Sequence, residues 1–177
     1  MEDGSALNYQ KEYRYLRTIT QCLLVFTILI VYLPLNPDMP GLGLDASWRL
    51  GLNQALSQGL VYGKDIIFPH GPYATLYTKM YHPDTDYLAI FGGLVLGIFH
   101  ALLIFLLVKS RSLIWYFFFI GFFAAGIFLR DTILFIYPLL VCFYIYKLLN
   151  YKGETAIFST KEKIFCAVLF VPLGLMI

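Results

Sequence analysis

Residues 87–108, YLAIFGGLVLGIFHALLIFLLV, form a continuous apolar run in which His100 is the only residue that carries a charge near neutral pH. About twenty apolar residues in a helix cross the hydrocarbon core of a bilayer. Acidic residues precede the run, and Lys109 and Arg111 follow it. The run therefore predicts a membrane-spanning helix. We interpret His100 as a hydrogen-bonded packing residue within it, since a lone histidine in a span is more often packed than a ligand.

The composition of the whole chain indicates the same class of protein. Of its 177 residues, 59% are hydrophobic and 14% are charged, whereas charged residues make up about a quarter of an average soluble protein. The net charge of +2 is too small to indicate nucleic-acid binding. The three cysteines lie in apolar runs, where small packing residues are expected rather than a disulfide framework. We expect an integral membrane protein that contacts the lipid bilayer and has no nucleic-acid partner.

Four further apolar runs predict the other spans, at residues 18–35, 113–129, 132–149 and 164–177. A single helix through residues 113–149 would far exceed the length that crosses a bilayer. The pair Arg130-Asp131 therefore predicts a tight turn at a membrane surface. The alternative is an ion pair buried within the span. The predicted fold class is all-α, a polytopic transmembrane helix bundle forming one domain.

The two ends of the chain carry their own predictions. A basic segment followed by an apolar one is also typical of a cleaved signal peptide, but no small-x-small cleavage site follows residues 18–35. We therefore interpret that run as a retained helix, preceded by a polar tail. The last run, 164–177, is too short for a usual crossing, and we expect that a larger protein is truncated there.

The distribution of basic residues predicts the orientation. With the N-terminus inside, nine of the thirteen Lys and Arg residues lie on the cytoplasmic side, and only Arg49, Lys64, Lys79 and Arg130 lie outside. Membrane proteins concentrate Lys and Arg in their cytoplasmic segments. We predict a cytoplasmic N-terminus, which puts residues 36–86 in an extracytoplasmic loop.

This outer loop contains a stretch of mixed chemistry, residues 45–77, DASWRLGLNQALSQGLVYGKDIIFPHGPYATLY. Its first half predicts an amphipathic interfacial helix over 48–60, with Asp45 and Ser47 supplying capping oxygens. An apolar stripe would cover the membrane surface or the ends of the spans, and its members are Trp48, Leu52, Leu56 and Leu60. A second face carries Arg49, Asn53 and Ser57. Glycines and prolines make the second half irregular.

Several loop residues are candidates for chemistry, each with a simpler alternative. The Asp45 carboxylate would act as a base or bind a divalent cation, unless it only caps the helix. Asp65 and His70 would bring a carboxylate and an imidazole together, unless they are a turn residue and a surface histidine. Tyr73 and its aromatic neighbours would form a platform for a sugar or a lipid headgroup, unless they only anchor the loop at the interface.

The two outer arginines are candidates for phosphate binding, because the planar guanidinium matches phosphate oxygens. Arg49 lies in the predicted interfacial helix, and Arg130 lies at the predicted turn. Neutralisation of Asp131 or Asp45 is the alternative role for Arg130.

The run from Leu44 to Tyr77 resembles the first extracytoplasmic loop of the GT-C membrane glycosyltransferases, in particular bacterial relatives of the protein mannosyltransferase and aminoarabinose transferase group. In these families an early acid, here Asp45, precedes an amphipathic helix and then an aromatic, proline-containing segment, here 68–73. A second acid in the next outer loop accompanies the first, and Asp131 takes that place. The resemblance covers roughly residues 15–150.

The resemblance implies many transmembrane helices and a polyprenyl-phosphate-linked sugar donor, used on the outer face of a bacterial inner membrane. Asp45 would be the catalytic base, and Arg49 or Arg130 would hold the donor phosphate. Because Asp45-Ala46 stands where well-known members have paired acids, the metal is left unspecified, with a divalent cation as one candidate. The alternative function is a non-catalytic membrane scaffold or a transporter fragment.

Overall fold

The computed structural model describes residues 3–71, 73–126, 130–152 and 159–176, and the side chains within 8–71, 73–126, 135–151 and 159–174. Over these residues the chain is all-helical and contains no strand, which confirms the predicted all-α class. The helices are α1 (Asp3–Tyr32), α2 (Leu44–Ser57), α3 (Asp86–Val108), α4 (Leu113–Gly126), α5 (Arg130–Lys152), α6 (Thr160–Leu169) and α7 (Val171–Met176). A short 3₁₀ turn, Ala74–Leu76, precedes α3.

Two helices in the described part of the chain are long and apolar enough to cross a membrane. They are the segment Asn8–Tyr32 of α1 and the whole of α3, Asp86–Val108. Shorter apolar helices are Leu113–Gly126 and Phe135–Tyr151. The helix predicted at 87–108 is thus present with nearly the predicted bounds.

Three predicted boundaries differ from the structure. The predicted polar tail is part of α1, because a polar sequence without proline does not interrupt a helix; α1 ends at Tyr32, two residues before Pro34. Arg130 and Asp131 are the first described residues of α5 rather than a turn. The last apolar run divides at Phe170 into α6 and α7.

The central helix α3 packs on α1 at Gly93 and Gly97, which form a series of small residues spaced four apart with Ala89 and Ala101. A Cβ atom on Gly93 would lie 2.5 Å from the carbonyl oxygen of Tyr32. Small residues at this spacing let two helix backbones approach closely. Because Gly92 meets the 3₁₀ turn on the other side, α3 positions both α1 and the outer loop.

His100 lies at the centre of the bundle and is fully buried. Its Nδ1 lies 2.8 Å from the Leu96 carbonyl oxygen, which can only accept, so this nitrogen donates. Nε2 then accepts from the Tyr32 hydroxyl at 2.8 Å. The ring packs between Tyr32 and Tyr137, with centroids 4.5 and 4.7 Å away. This geometry agrees with a hydrogen-bonded packing residue.

Basic side chains from α1 and α5 meet the C-terminal end of α3 at one end of the bundle. The Arg17 guanidinium donates to the carbonyl of Lys109, at the end of α3. The Lys147 ammonium, on α5, donates to the carbonyls of Leu106 and Leu107 at 3.0 and 3.1 Å. Residues 33–85 lie at the opposite end, where the Lys79 ammonium donates to the carbonyl of Val31.

Candidate functional site

The candidate site is built on α2, which an ion pair fastens to both ends of the loop. Asp38 lies beside Lys79, since its N–H donates to the Lys79 carbonyl and its own carbonyl accepts from the N–H of Tyr81, each at 2.8 Å. The Asp38 carboxylate accepts from the Arg49 guanidinium at 3.0 Å. Arg49 therefore holds α2 against this junction.

Buried polar side chains attach the other face of α2 to the segment before α3. The Thr85 hydroxyl donates to the side-chain oxygen of Asn53 at 2.5 Å. The side-chain NH₂ of Asn53 donates to the backbone carbonyl of Arg49 at 2.9 Å. His82 Nε2 donates to the Gln54 side chain at 3.1 Å. Asn53 is 1% exposed, so the second face of the helix, which carries Arg49, Asn53 and Ser57, is packed against protein at Asn53. These hydrogen bonds fix the orientation of α2.

Asp45 lies in the first turn of α2 and does not cap it. The capping position belongs to Gly43, whose φ of 130° suits glycine, and no side chain caps the helix there. The Ser47 hydroxyl donates to the Gly43 carbonyl at 2.7 Å. The exposed Asp45 carboxylate accepts from the Trp48 indole N–H at 3.2 Å. It is therefore oriented by Trp48, accessible to solvent, and placed at the positive end of the helix dipole.

An aromatic cluster, defined as Trp48, Phe68, His70 and Tyr77, lies beside this carboxylate. The rings of Trp48 and His70 are stacked, 5.0 Å apart at 13°. Phe68 lies 5.6 Å from Trp48, and the Tyr77 hydroxyl lies 3.3 Å from Nδ1 of His70. The Arg49 guanidinium lies 5.3 Å above the Trp48 ring. Phe68 is tilted against Trp48, and Tyr77 meets His70 edge-on, so the cluster is a packed aromatic group with polar groups at its edge.

A cleft of about 350 Å³ opens next to the cluster. Trp48 and Phe68 form part of its wall, and Leu60 and Ile66 extend the apolar surface. Gln54 and Gln58 also line the cleft. An apolar wall with a few polar groups is the usual composition of a small-molecule site.

The predicted partnership of Asp65 and His70 does not form in the described part of the chain. The Asp65 carboxylate accepts from the Val61 N–H at 3.0 Å, and the Asp65 N–H donates to the Val61 carbonyl at 2.8 Å. Asp65 is thus a turn residue, which was the simpler alternative. His70 instead stacks on Trp48, a contact that the sequence analysis missed.

Tyr73 begins the 3₁₀ turn, and its carbonyl accepts from the Leu76 N–H at 2.9 Å. Its side chain is about half exposed and lies outside the aromatic cluster. Tyr77, one turn later, takes the position in the cluster. The aromatic composition of the loop indicated a platform without indicating which tyrosine forms it.

The side chains of Arg130 and Asp131 lie outside the described residues, so their proximity to Asp45 stays a prediction. In the described part, no group of three His, Cys, Asp or Glu residues is placed to hold a metal ion. Within the described site, Asp45 is an exposed carboxylate that is hydrogen-bonded to Trp48.

Two hydroxyls in the loop are buried without a hydrogen-bond partner among the described residues, those of Tyr62 and Thr78. Burial raises the pKa of Tyr62 above its ordinary value, because the charged form loses solvation. Within the described part of the chain, neither hydroxyl has a hydrogen-bond partner that would offset this desolvation.

Comparison with known proteins finds no matching family model, no similar curated protein and no similar solved structure. The functional interpretation therefore depends on the geometry of the site and on the character of the loop sequence.

Proposed function

We propose that this chain is the N-terminal part of a GT-C type integral membrane glycosyltransferase, which transfers a sugar from a polyprenyl-phosphate donor on the extracytoplasmic face. The observation that carries the proposal is the exposed Asp45 carboxylate, oriented by the Trp48 indole and adjacent to the aromatic cluster. Sugar transfer needs a base beside the acceptor and a surface on which a sugar ring can stack. Both features occur here within one turn of α2.

The separation of charge supports the membrane orientation in this proposal. Arg17, Lys109 and Lys147 lie at one end of the bundle, and the loop lies at the other. Under the positive-inside rule, the end that carries Arg17, Lys109 and Lys147 faces the cytoplasm. The bundle is then a polytopic one, formed by α1, α3, α4 and α5.

Exposed apolar side chains near the start of α2 support its placement at the membrane surface. Leu42, Leu44 and Ile67 are almost fully exposed. Leu52 and Ala55 instead face the protein and are buried. A helix that buries apolar residues on one side and has exposed leucines at its N-terminal end is suited to the interface between headgroups and acyl chains.

In the proposed reaction the Asp45 carboxylate takes the proton of the acceptor nucleophile. The nucleophile forms a bond to the anomeric carbon of the sugar while the bond from that carbon to the donor phosphate oxygen breaks. The electron pair of the broken bond leaves with polyprenyl phosphate. A cation near that phosphate would stabilise the departing charge.

The two arginines that were predicted to bind phosphate have different roles in this proposal. Arg49 is paired with Asp38 and covers Trp48, so it serves to position α2. Arg130 keeps the proposed role of holding the donor phosphate, with Asp131 as the second acid of the site. Replacement of Arg130 by lysine keeps the charge and loses the bidentate geometry, so Arg130→Lys should weaken donor binding.

The test is sugar transfer from a radiolabelled polyprenyl-phosphate hexose in membranes that contain the protein. Asp45→Asn should reduce transfer by at least about 100-fold, the usual contribution of a general base. Asp65→Asn is the matched control, because it makes the same change at another exposed carboxylate of the loop, and it should leave transfer unchanged. Equal transfer in the two variants would favour the alternative, a non-catalytic scaffold or transporter fragment.

A further inference from the structure

A second cavity, of about 750 Å³, lies between α4 and α5 at the end of the bundle opposite the loop. Its apolar wall includes Phe118, Phe122, Leu139 and Phe143. Their side chains range from 37% to 61% exposed, although they are large and apolar. The cavity is therefore an open groove along the outside of two apolar helices, and we call it the α4–α5 groove.

One end of the α4–α5 groove is cationic. Arg111 and Lys147 line it there, together with the amide of Asn150. Two backbone carbonyls hold the Lys147 ammonium in place. Lys109 lies close by in the chain, and its backbone carbonyl accepts from the Arg17 guanidinium. Arg111 and Lys147 thus place two cations at the polar mouth of an apolar groove.

No carboxylate neutralises this mouth within the described part of the chain. The ion pair that the described residues form joins Arg49 to Asp38, and it lies in the loop at the opposite end of the bundle. Two cations beside apolar walls match a ligand that has an anionic head and a hydrocarbon tail. A guanidinium and an ammonium are the usual partners of a phosphate.

We propose that the α4–α5 groove binds an anionic phospholipid, with an acyl chain along the aromatic wall and the headgroup phosphate between Arg111 and Lys147. This inference does not depend on the glycosyltransferase proposal, because the groove and the candidate site lie at opposite ends of the bundle. An anionic lipid is favoured over a zwitterionic one because its negative charge is not offset by an ammonium group near the same cations.

The two tryptophans allow a direct test. Trp115 lines the groove and is 46% exposed. Trp48 is the other tryptophan, so Trp48→Phe leaves Trp115 as the sole tryptophan, which can be excited selectively. The purified variant is placed in bilayers that contain phosphatidylglycerol or phosphatidylcholine brominated on the acyl chains. Bromine quenches a tryptophan that it touches, and phosphatidylglycerol should quench Trp115 at a lower mole fraction.

Removing the cations should remove this preference. In the single-tryptophan protein, Arg111→Gln and Lys147→Gln should each reduce the lipid preference roughly fivefold, the effect of one basic residue near an anionic surface. Lys64→Gln is the control, since it removes an equal charge from the opposite end of the bundle. Arg111→Lys should retain most of the preference. Circular dichroism and elution as a single species confirm that each variant is folded.

Three outcomes would overturn the proposal. Equal quenching by the two lipids shows that the mouth does not select charge. Absence of quenching by either lipid shows that protein, such as a second copy of the chain or another helix, covers the groove. Loss of the preference on addition of inorganic phosphate, at constant ionic strength, shows that the cations bind a free anion.

Discussion

Gly93 is a position where one added methyl group should clearly lower the free energy of unfolding. In Gly93→Ala the new Cβ would lie 2.5 Å from the carbonyl oxygen of Tyr32 and 3.1 Å from its carbonyl carbon. These are backbone atoms at the end of α1, which cannot rotate away as a side chain does. The close approach of α1 and α3 must therefore loosen.

The magnitude follows from two opposing effects. Alanine is a better helix former than glycine by about 0.8–1.0 kcal/mol. Overpacking of a close contact costs about 1–3 kcal/mol, and a backbone neighbour favours the upper part of that range. The expected net effect of Gly93→Ala is a loss of about 1–2 kcal/mol in the free energy of unfolding.

Gly121→Ala is the matched control, because a Cβ on Gly121, in α4, has nothing within 4 Å. It keeps the propensity gain without the clash and should be neutral or stabilising. The assay is unfolding by increasing SDS in mixed micelles, followed by circular dichroism. Gly93→Ala with the same unfolding midpoint as Gly121→Ala would refute the close packing of α1 on α3.

Two further predictions concern the loop. Tyr62→Phe removes a buried hydroxyl that has no partner among the described residues, so it should keep or raise the free energy of unfolding by up to about 1 kcal/mol. Because burial raises the pKa of Tyr62, the wild-type stability should fall more steeply than that of Tyr62→Phe above about pH 10, where the unfolded tyrosine ionises; a parallel decline would contradict this. For the orientation, a cysteine at the exposed Ser57 should react with an impermeant thiol reagent on intact cells, whereas one at Ser110, in the α3–α4 turn, should not; equal labelling, corrected for the native cysteines, would exclude the orientation.

The sequence predicted α3 well because an apolar run with charged ends determines both the type and the length of a spanning helix. The start of α1 was missed because polarity marks the limit of a membrane span and not the limit of a helix. The packing of α1 on α3 was readable from Ala89, Gly93, Gly97 and Ala101, a spacing of small residues that permits close approach.

The candidate site was less predictable because its contacts join residues that are distant in the chain. The stack of His70 on Trp48 and the ion pair of Arg49 with Asp38 depend on how the loop folds back on α2. Asp65 could be recognised as a turn residue because its partner, Val61, is local. Local turn chemistry is readable from sequence, whereas the choice of Tyr77 over Tyr73 for the aromatic cluster is decided by tertiary packing.

The most direct test of the central claim is whether the aromatic cluster binds a polyprenyl-phosphate-linked sugar. Trp115→Phe leaves Trp48 as the sole tryptophan, and its fluorescence is titrated with a short-chain polyprenyl-phosphate hexose. The account predicts a saturable change that is lost in His70→Ala, which removes the ring stacked on Trp48, and is retained in Lys64→Ala, an exposed loop control. No change, or one that polyprenyl phosphate without a sugar reproduces in full, would contradict a sugar site at Trp48.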